Sequence, residues 1–510
     1  MFNTLKHFCI KHHNLTAFAL GCLSVQALPP FYHWYLLFVC LSGLLCLINS
    51  AQNKKQAFAT GYWFGFGFFA FGLSWVNQAL LIAPAQTGWL IPITFLASGI
   101  FFGLFIAIPA WLSWHFKPLI PRYLSLAAWI VIFEWLRSWI LTGFPWNLWG
   151  SCLTFNPVFI QTASVWGTYG LSLLIWLTAT APVFVLIRHT KKIRLISLTV
   201  IALIPLLLWG YGTWRLNKYS DKTEGNTKLR LVQPSIPQSI KWSPDLKQKH
   251  LETYIDLSRS RPLDDIDMVI WGETASPYPL DREETAKRDA LKAINNNGYL
   301  TTGQIRYEEN YYNGWNVYNS SLILNSSGVI EDFYDKSHLV PFGEYIPLRE
   351  YLPHAFQPIA NIIGTMKAGQ GPKTINLNNI PPFGIQICYE IIFPHQIINP
   401  QQKPEWLLNL TNDGWYGLSS GPYQHLVTTQ LRAVEEGITI ARAANSGISA
   451  LINCTGEILA SLALNESGIL DVSLPEQTSI PTPYNKSGNT LILTICLLCI
   501  IISTRLNRKH

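Results

Sequence analysis

Acidic residues are almost missing from the two ends of this chain. Of its 30 Asp and Glu, 29 fall between Lys218 and Asn485, and Glu134 is the single acid elsewhere. Charge of either sign is scarce: 13% of the 510 residues are Asp, Glu, Lys or Arg, against about a quarter in an average soluble chain. That excludes a wholly soluble multidomain protein and implies long membrane segments. The formal net charge of +7 hides a division. The stretch from Lys218 to Asn485 carries 21 Lys/Arg against its 29 acids, a net of −8, while the remainder carries 16 Lys/Arg and one acid, a net of +15. A basic excess confined to apolar segments signals orientation in a membrane. Nucleic-acid binding would need a basic face on a folded domain. Cysteine is also sparse where it would matter for disulfides. Seven of the nine lie in apolar or near-membrane segments, and only Cys388 and Cys454 lie in the polar stretch. No disulfide framework is implied, and Cys388 and Cys454 are expected to be unpaired. Cys496-Leu497-Leu498-Cys499 has CxxC spacing but sits in an apolar run without partner ligands, so it reads as helix packing. There is no internal repeat and no low-complexity tract.

Apolar runs are what the ends do contain. They lie at about 15–30, 34–50, 57–76, 88–115, 123–141, 164–187, 194–212 and 489–503. Each approaches the roughly 17–25 residues needed to cross a bilayer, the first and last being short. Eight spans are predicted, seven before the polar stretch and one after it. Val25-Gln26-Ala27 is a weak signal-peptidase site, but further apolar runs follow directly, so the first segment reads as an uncleaved anchor. Residues 1–14, with three His, read as a solvated tail. Lys/Arg alternate with the loops: Lys6 and Lys11, Lys54 and Lys55, Lys117 and Arg122, the group Arg188, Lys191, Lys192 and Arg194, then Arg505, Arg508 and Lys509. The intervening loops near 29–33, 77–88 and 142–163 carry none. The positive-inside rule then puts both termini in the cytoplasm and the polar domain on the opposite side. Glu134 and Arg137 share one helix face three residues apart, as a local ion pair would require; a functional role is the alternative for charges in a span. Phe144-Pro145-Trp146-Asn147-Leu148-Trp149 reads as an interfacial aromatic belt or part of a lipid-entry groove.

The polar stretch alternates short strands and helices, an α/β pattern. Strands are predicted at Leu229–Pro234, Met268–Trp271, Leu300–Ile305, Ser320–Leu324, Ile330–Tyr334, Gly384–Ile387, Trp406–Leu410, Ile438–Ala441 and Ile448–Ile452, and helices at Asp281–Asn297 and Tyr423–Glu436. The domain division is therefore 1–214, seven membrane helices; 215–487, an extracytoplasmic α/β domain; and 488–510, a last span and tail. Cys388 ends an apolar strand, Phe383–Ile387, where open α/β folds place reactive groups. Taken alone it could equally be a buried, inert thiol. Glu273 follows the strand ending at Trp271, and Lys336 follows the strand ending at Tyr334. Each taken singly reads as a surface charge. Together the three types suit acyl transfer: a thiol attacks a carbonyl, a carboxylate takes and returns its proton, and a fixed cation faces the oxyanion.

That joint pattern resembles the nitrilase superfamily, in its apolipoprotein N-acyltransferase branch. The resemblance runs through Val232–Gln238 with Lys241-Trp242, Trp271-Gly272-Glu273-Thr274-Ala275, Tyr334–Pro347, Cys388-Tyr389-Glu390, Asn409–Tyr416, Gln430–Glu435 and Arg442–Gly447. It spans essentially the whole chain. Gly272 stands where Pro is common, and Asn453-Cys454-Thr455-Gly456 departs mildly from the usual turn. The resemblance implies about eight membrane helices around an αββα sandwich. It implies Glu273 as general base, Lys336 as oxyanion cation and Cys388 as nucleophile. Glu344 would orient Lys336, and Tyr389 and Glu390 would support the nucleophile. Trp242, Trp415 and Tyr416 would lie on mobile loops at a lipid entrance, plain packing being the alternative.

The same resemblance implies a ping-pong reaction without metal, nucleotide or other cofactor. A phospholipid, typically phosphatidylethanolamine, gives its sn-1 chain to Cys388, and the α-amine of an S-diacylglyceryl apolipoprotein takes it. Water must be kept out, which calls for a dry site close to the bilayer surface. The implied setting is the bacterial inner membrane, with a monomeric enzyme whose catalytic domain is periplasmic. Two other readings stand beside it: a membrane-tethered hydrolase with water as acceptor, and a non-enzymatic binding protein. A transporter is disfavoured by the absence of charge-lined spans and repeated halves.

Overall fold

The structure, a computed structural model, describes residues 11–186, 190–219, 223–310, 314–347 and 365–509. The expectations for residues 1–10, Lys6 among them, and for Arg188 lie outside the described residues. The chain forms two compact units. One comprises Met1–Tyr219, Ser419–Val427 and Thr482–His510; the other comprises Ser220–Leu418 and Thr428–Pro481.

In the first unit, six helices among the described residues are long and apolar enough to cross a membrane: Lys54–Leu81, Pro84–Trp114, Leu119–Leu136, Ala163–Leu186, Lys191–Tyr219 and Thr490–Asn507. The first two expected spans are shorter helices, His13–Ser24 with 12 residues and Leu36–Ser50 with 15. At 1.5 Å per residue they extend about 18 and 22 Å, below the roughly 30 Å of a hydrocarbon core. Small residues let the helices approach closely. A Cβ on Gly61 would come within 2.5 Å of Ala110 Cβ, and one on Gly65 within 2.8 Å of Gly103 O, which is how apolar helices gain contact without a hydrophobic driving force. Glu134 and Arg137 both engage the loop that follows their helix. Glu134 Oε1 accepts from Trp149 N at 2.8 Å, and Arg137 Nη1 donates to Phe144 O at 2.8 Å and Trp146 O at 2.5 Å. They anchor the aromatic loop through its backbone.

The second unit is built on two six-stranded sheets. The strands are β1 Glu224–Gln233, β2 Met268–Trp271, β3 Tyr299–Asn310, β4 Gly314–Asn325, β5 Ile330–Asp335, β6 Thr374–Leu377, β7 Ile380–Ile387, β8 Trp406–Thr411, β9 Thr439–Ala444, β10 Ser449–Ile452, β11 Ile458–Leu462 and β12 Gly468–Pro475. Their orders are β12-β1-β2-β3-β4-β5 and β11-β10-β9-β8-β7-β6. Strands β1, β2 and β3 run parallel, as do β7, β8 and β9. One face of each sheet contributes to a shared core: Leu229 and Leu231, Met268 and Ile270, Ile385 and Ile387, Leu408 and Leu410, Ala441 and Ala443. The period of two in each pair is what brings one face inward. The other face of the first sheet, through Val232, Val269, Trp271, Leu300, Leu322 and Leu324, packs on Leu251, Tyr254 and Ile255 of the helix Lys247–Ser258 and on Ala286 and Ala290. Beside the second sheet, Thr429 of the helix Gly421–Glu436 accepts from Arg442 Nη1 of β9 at 3.5 Å, and Gln430 donates to Gly456 O at 2.9 Å.

All nine predicted strands are present, most of them with longer bounds. Three strands had no counterpart in the sequence reading: β6, β11 and β12. The predicted helix Asp281–Asn297 is shorter, running Glu284–Ala290 and then a single 3₁₀ turn, Leu291–Ala293. The run Asn295-Asn296-Asn297-Gly298 turns back instead, with Asn295 Nδ2 donating to Leu263 O and Ile266 O. The helix Lys247–Ser258 was not predicted.

Candidate active site

The three chemistry-bearing side chains of the sequence pattern all stand just past C-terminal strand ends. Glu273 is two residues beyond β2, Lys336 one beyond β5 and Cys388 one beyond β7. Cys388 opens a 3₁₀ turn, Cys388–Ile392, at φ +52°. A non-glycine residue there holds a left-handed backbone that costs about 1–3 kcal/mol and persists only when its surroundings enforce it. Glu390 does the enforcing. Its Oε2 accepts from Ile387 N at 2.7 Å, and its Oε1 accepts from Ser337 N and Oγ at 2.7 Å, Tyr334 Oη at 2.7 Å and His338 N at 3.1 Å. One buried carboxylate thus ties the turn bearing Cys388 to the segment bearing Lys336. Tyr389 is buried, with its ring edge-on to His338 and Phe393.

Lys336 is 1% exposed and holds two carboxylates. Its Nζ lies 2.9 Å from Glu344 Oε1 and 3.3 Å from Glu273 Oε1. Asn319 bridges the same two oxygens, its Nδ2 donating to Glu273 Oε1 at 2.8 Å and to Glu344 Oε1 at 2.9 Å. Glu344 is fixed in turn by Val340 N at 2.8 Å on its Oε2. Burial works against the Lys336 ammonium, but the Glu344 and Glu273 charges outweigh it and hold the group above its ordinary value. It stays a cation. Cys388 goes the other way. Burial, reinforced by the Glu273 charge and opposed by Lys336, pushes its thiol up to about 12. The resting sulfur is a protonated thiol, with a carboxylate and an ammonium both acting on it. Such a site makes a nucleophile only when the thiol proton has somewhere to go.

The aromatic loop residues divide. Trp242 and Trp415 are exposed, at 45% and 41%. Tyr416 is half-buried and hydrogen-bonds the Cys388 side chain. The structure brings in residues that sequence reasoning missed. Asn319 shares a face of β4 with Ile323, a member of the inter-sheet core, so a polar side chain at that spacing was the available signal. Asp413 and Arg442, both fully buried, pair at 2.8 Å, and Arg442 Nη1 also donates to Asn409 Oδ1 at 2.5 Å. They fix the turn after β8, whose Thr411 O accepts from Glu273 N at 3.4 Å and Asn445 N at 3.1 Å. Gly303 is required where β3 passes the segment after β2 that bears Glu273: a Cβ there would lie 2.5 Å from Gly272 O and 2.8 Å from Glu273 Cα.

Two family models match this chain. Residues 20–181 match the apolipoprotein N-acyltransferase N-terminal domain, and residues 228–484 match the carbon-nitrogen hydrolase domain. An apolipoprotein N-acyltransferase of Rhodopseudomonas palustris is 35% identical over 96% of this chain and 95% of its own length. The chain belongs to the apolipoprotein N-acyltransferase family. A second relative of the same name, from Rickettsia typhi, is 34% identical over 96% of this chain and 97% of its own. Among solved structures, an amidase from Nesterenkonia sp. aligns with 50% of this chain and 93% of its own at 17% identity and a TM-score of 0.36. Membership in the apolipoprotein N-acyltransferase family, with six apolar helices of spanning length, makes this a membrane-bound acyltransferase with a nitrilase-like α/β domain.

Proposed function

We propose that this enzyme N-acylates the amino-terminal S-diacylglyceryl cysteine of apolipoproteins, taking the sn-1 acyl chain of a phospholipid. Phosphatidylethanolamine is the proposed donor, the bacterial inner membrane the setting and a monomer the working form. Residues 1–214 and 488–510 are the proposed membrane portions, with both termini cytoplasmic, and 215–487 is the periplasmic catalytic domain. In the first half-reaction Cys388 Sγ attacks the ester carbonyl. Its proton passes to Glu273 and on to the leaving lysophospholipid oxygen, while the Lys336 ammonium faces the oxyanion. In the second, the α-amine attacks the thioester. With a pKa of about 7.7–8.0, a useful fraction of that amine is neutral near pH 7. Glu273 takes the amine proton, and Cys388 is regenerated as a thiol. The observation that carries this reading is the Lys336 ammonium, fixed by Glu273 and Glu344 and acting on a thiol held at a left-handed strand end.

The test uses purified enzyme and a phospholipid with a tagged sn-1 chain. The tag is expected on Cys388 in a hydroxylamine-sensitive bond, lost in Cys388→Ser as a thioester, and moved onto the amine of an added diacylglyceryl lipopeptide. A tag released equally fast without the lipopeptide would make the protein a hydrolase. No tag at all would overturn the reading.

A further inference from the structure

Among the described residues two lysines are buried, and the proposed reaction uses only Lys336. The other, Lys241, is 5% exposed and lies in the turns that follow β1. Its Nζ donates to the main-chain carbonyl of Glu273 at 3.1 Å and to Thr274 Oγ1 at 2.8 Å. Thr274 itself holds φ +46°, a second left-handed residue in the site. The segment that aims the Glu273 carboxylate is thus gripped from two sides, by the Lys241 ammonium and by Thr411 O at the end of β8.

Charge gives the contact its purpose. Glu273 and Glu344 bring two negative charges to this dry site, and Lys336 brings one positive. An excess of carboxylate there opposes ionisation of a neighbouring thiol. Lys241 interacts electrostatically with both Glu273 and Cys388 and adds a second positive charge beside them. We propose that Lys241 is a positioning residue of this site: a second cation that fixes the Glu273 segment and offsets the second carboxylate, so that Cys388 can lose its proton. This rests on Cys388 being the nucleophile. Burial lowers the Lys241 ammonium to about 8, while Glu273 and Cys388 pull it upward. His250 on the helix Lys247–Ser258, hydrogen-bonded to the Lys241 backbone, also acts on it, and Asp413, paired with Arg442, acts on the same thiol.

The test reads the thiol directly: the rate of iodoacetamide alkylation at Cys388, followed by mass spectrometry on the whole enzyme in detergent between about pH 6 and 10. The native log rate is expected to rise with unit slope and to flatten above about pH 8, where Lys241 loses its charge. In Lys241→Met the rate below that pH is expected to fall about tenfold, the effect of one pKa unit, and the flattening to vanish. Lys241→Arg, which keeps the charge, should stay within about threefold of native. A native rate and profile in Lys241→Met would overturn the proposal, as would a native profile without a break near pH 8. That second criterion decides the matter even if Lys241→Met fails to fold. Iodoacetamide needs no lipid, so failure of phospholipid to acylate Cys388 would sink the proposed function while leaving this result to judge Lys241.

Discussion

Glu390→Gln is the substitution whose cost the structure defines most closely. The native carboxylate receives five donors, four on Oε1 and Ile387 N on Oε2. Glutamine can present one oxygen only. With that oxygen toward the four donors, its amide points donor-to-donor at Ile387 N. An unsatisfied buried donor costs about 1–3 kcal/mol, and the four remaining bonds lose the charge that makes them roughly twice as strong as neutral ones. The sum is about 3 kcal/mol. For a unit of this size each kcal/mol is about 2–4 °C of melting temperature, so thermal unfolding followed in detergent should move down by about 6–12 °C. Much of the loss falls on the tie between the Cys388 turn and the Lys336 segment. The rate of thioester formation should therefore drop as well, by up to about 10²-fold at 1.36 kcal/mol per decade. A single-turnover assay with tagged phospholipid measures it. A Glu390→Gln enzyme melting within about 2 °C of native and acylating within about threefold would refute the argument, since the carboxylate would then be holding nothing.

Three further outcomes are expected. Lys336→Met leaves Glu273 and Glu344 buried without their cation, which should cost about 3–5 kcal/mol and abolish thioester formation; adding Glu344→Gln should recover part of the stability and none of the activity. Gly303→Ala drives a methyl group against Glu273 Cα and Gly272 O, so acylation should fall at least about tenfold while the fold survives, as checked by circular dichroism. Arg442→Met leaves Asp413 uncompensated in a fully buried site, and a loss of about 3–5 kcal/mol is expected; Asp413→Asn combined with Arg442→Met should be less destabilised than Arg442→Met alone.

The sequence made the strand ends legible because each combines an apolar run with an abrupt polar residue: Trp271 before Glu273, Ile387 before Cys388. It did not make Asn319 or Lys241 legible. Asn319 alternates with Ser321 along β4, two polar residues on the face of Ile323, and their burial depends on the second sheet covering that face. Lys241 adjoins the exposed Trp242, so its neighbourhood reads as surface; only the distant Glu273 carbonyl shows otherwise. The edge strands β11 and β12 are half-buried without clean alternation, leaving no period to detect. The helix Lys247–Ser258 was readable, since Leu251, Tyr254, Ile255 and Ser258 fall on one helical face. For Glu134 and Arg137 the spacing suggested partners in each other, while the loop backbone supplies partners that spacing cannot reveal.

Strand β12 lies antiparallel to β1, and their register sets Glu224 opposite Pro475. The α/β chain therefore begins and finishes about one strand spacing apart, roughly 5 Å. Between those two neighbouring ends the path completes both sheets and leaves the unit once, at Ser419–Val427. Two adjacent cuts at those ends would therefore also carry away Ser419–Val427, so the α/β unit is not an exchangeable cassette.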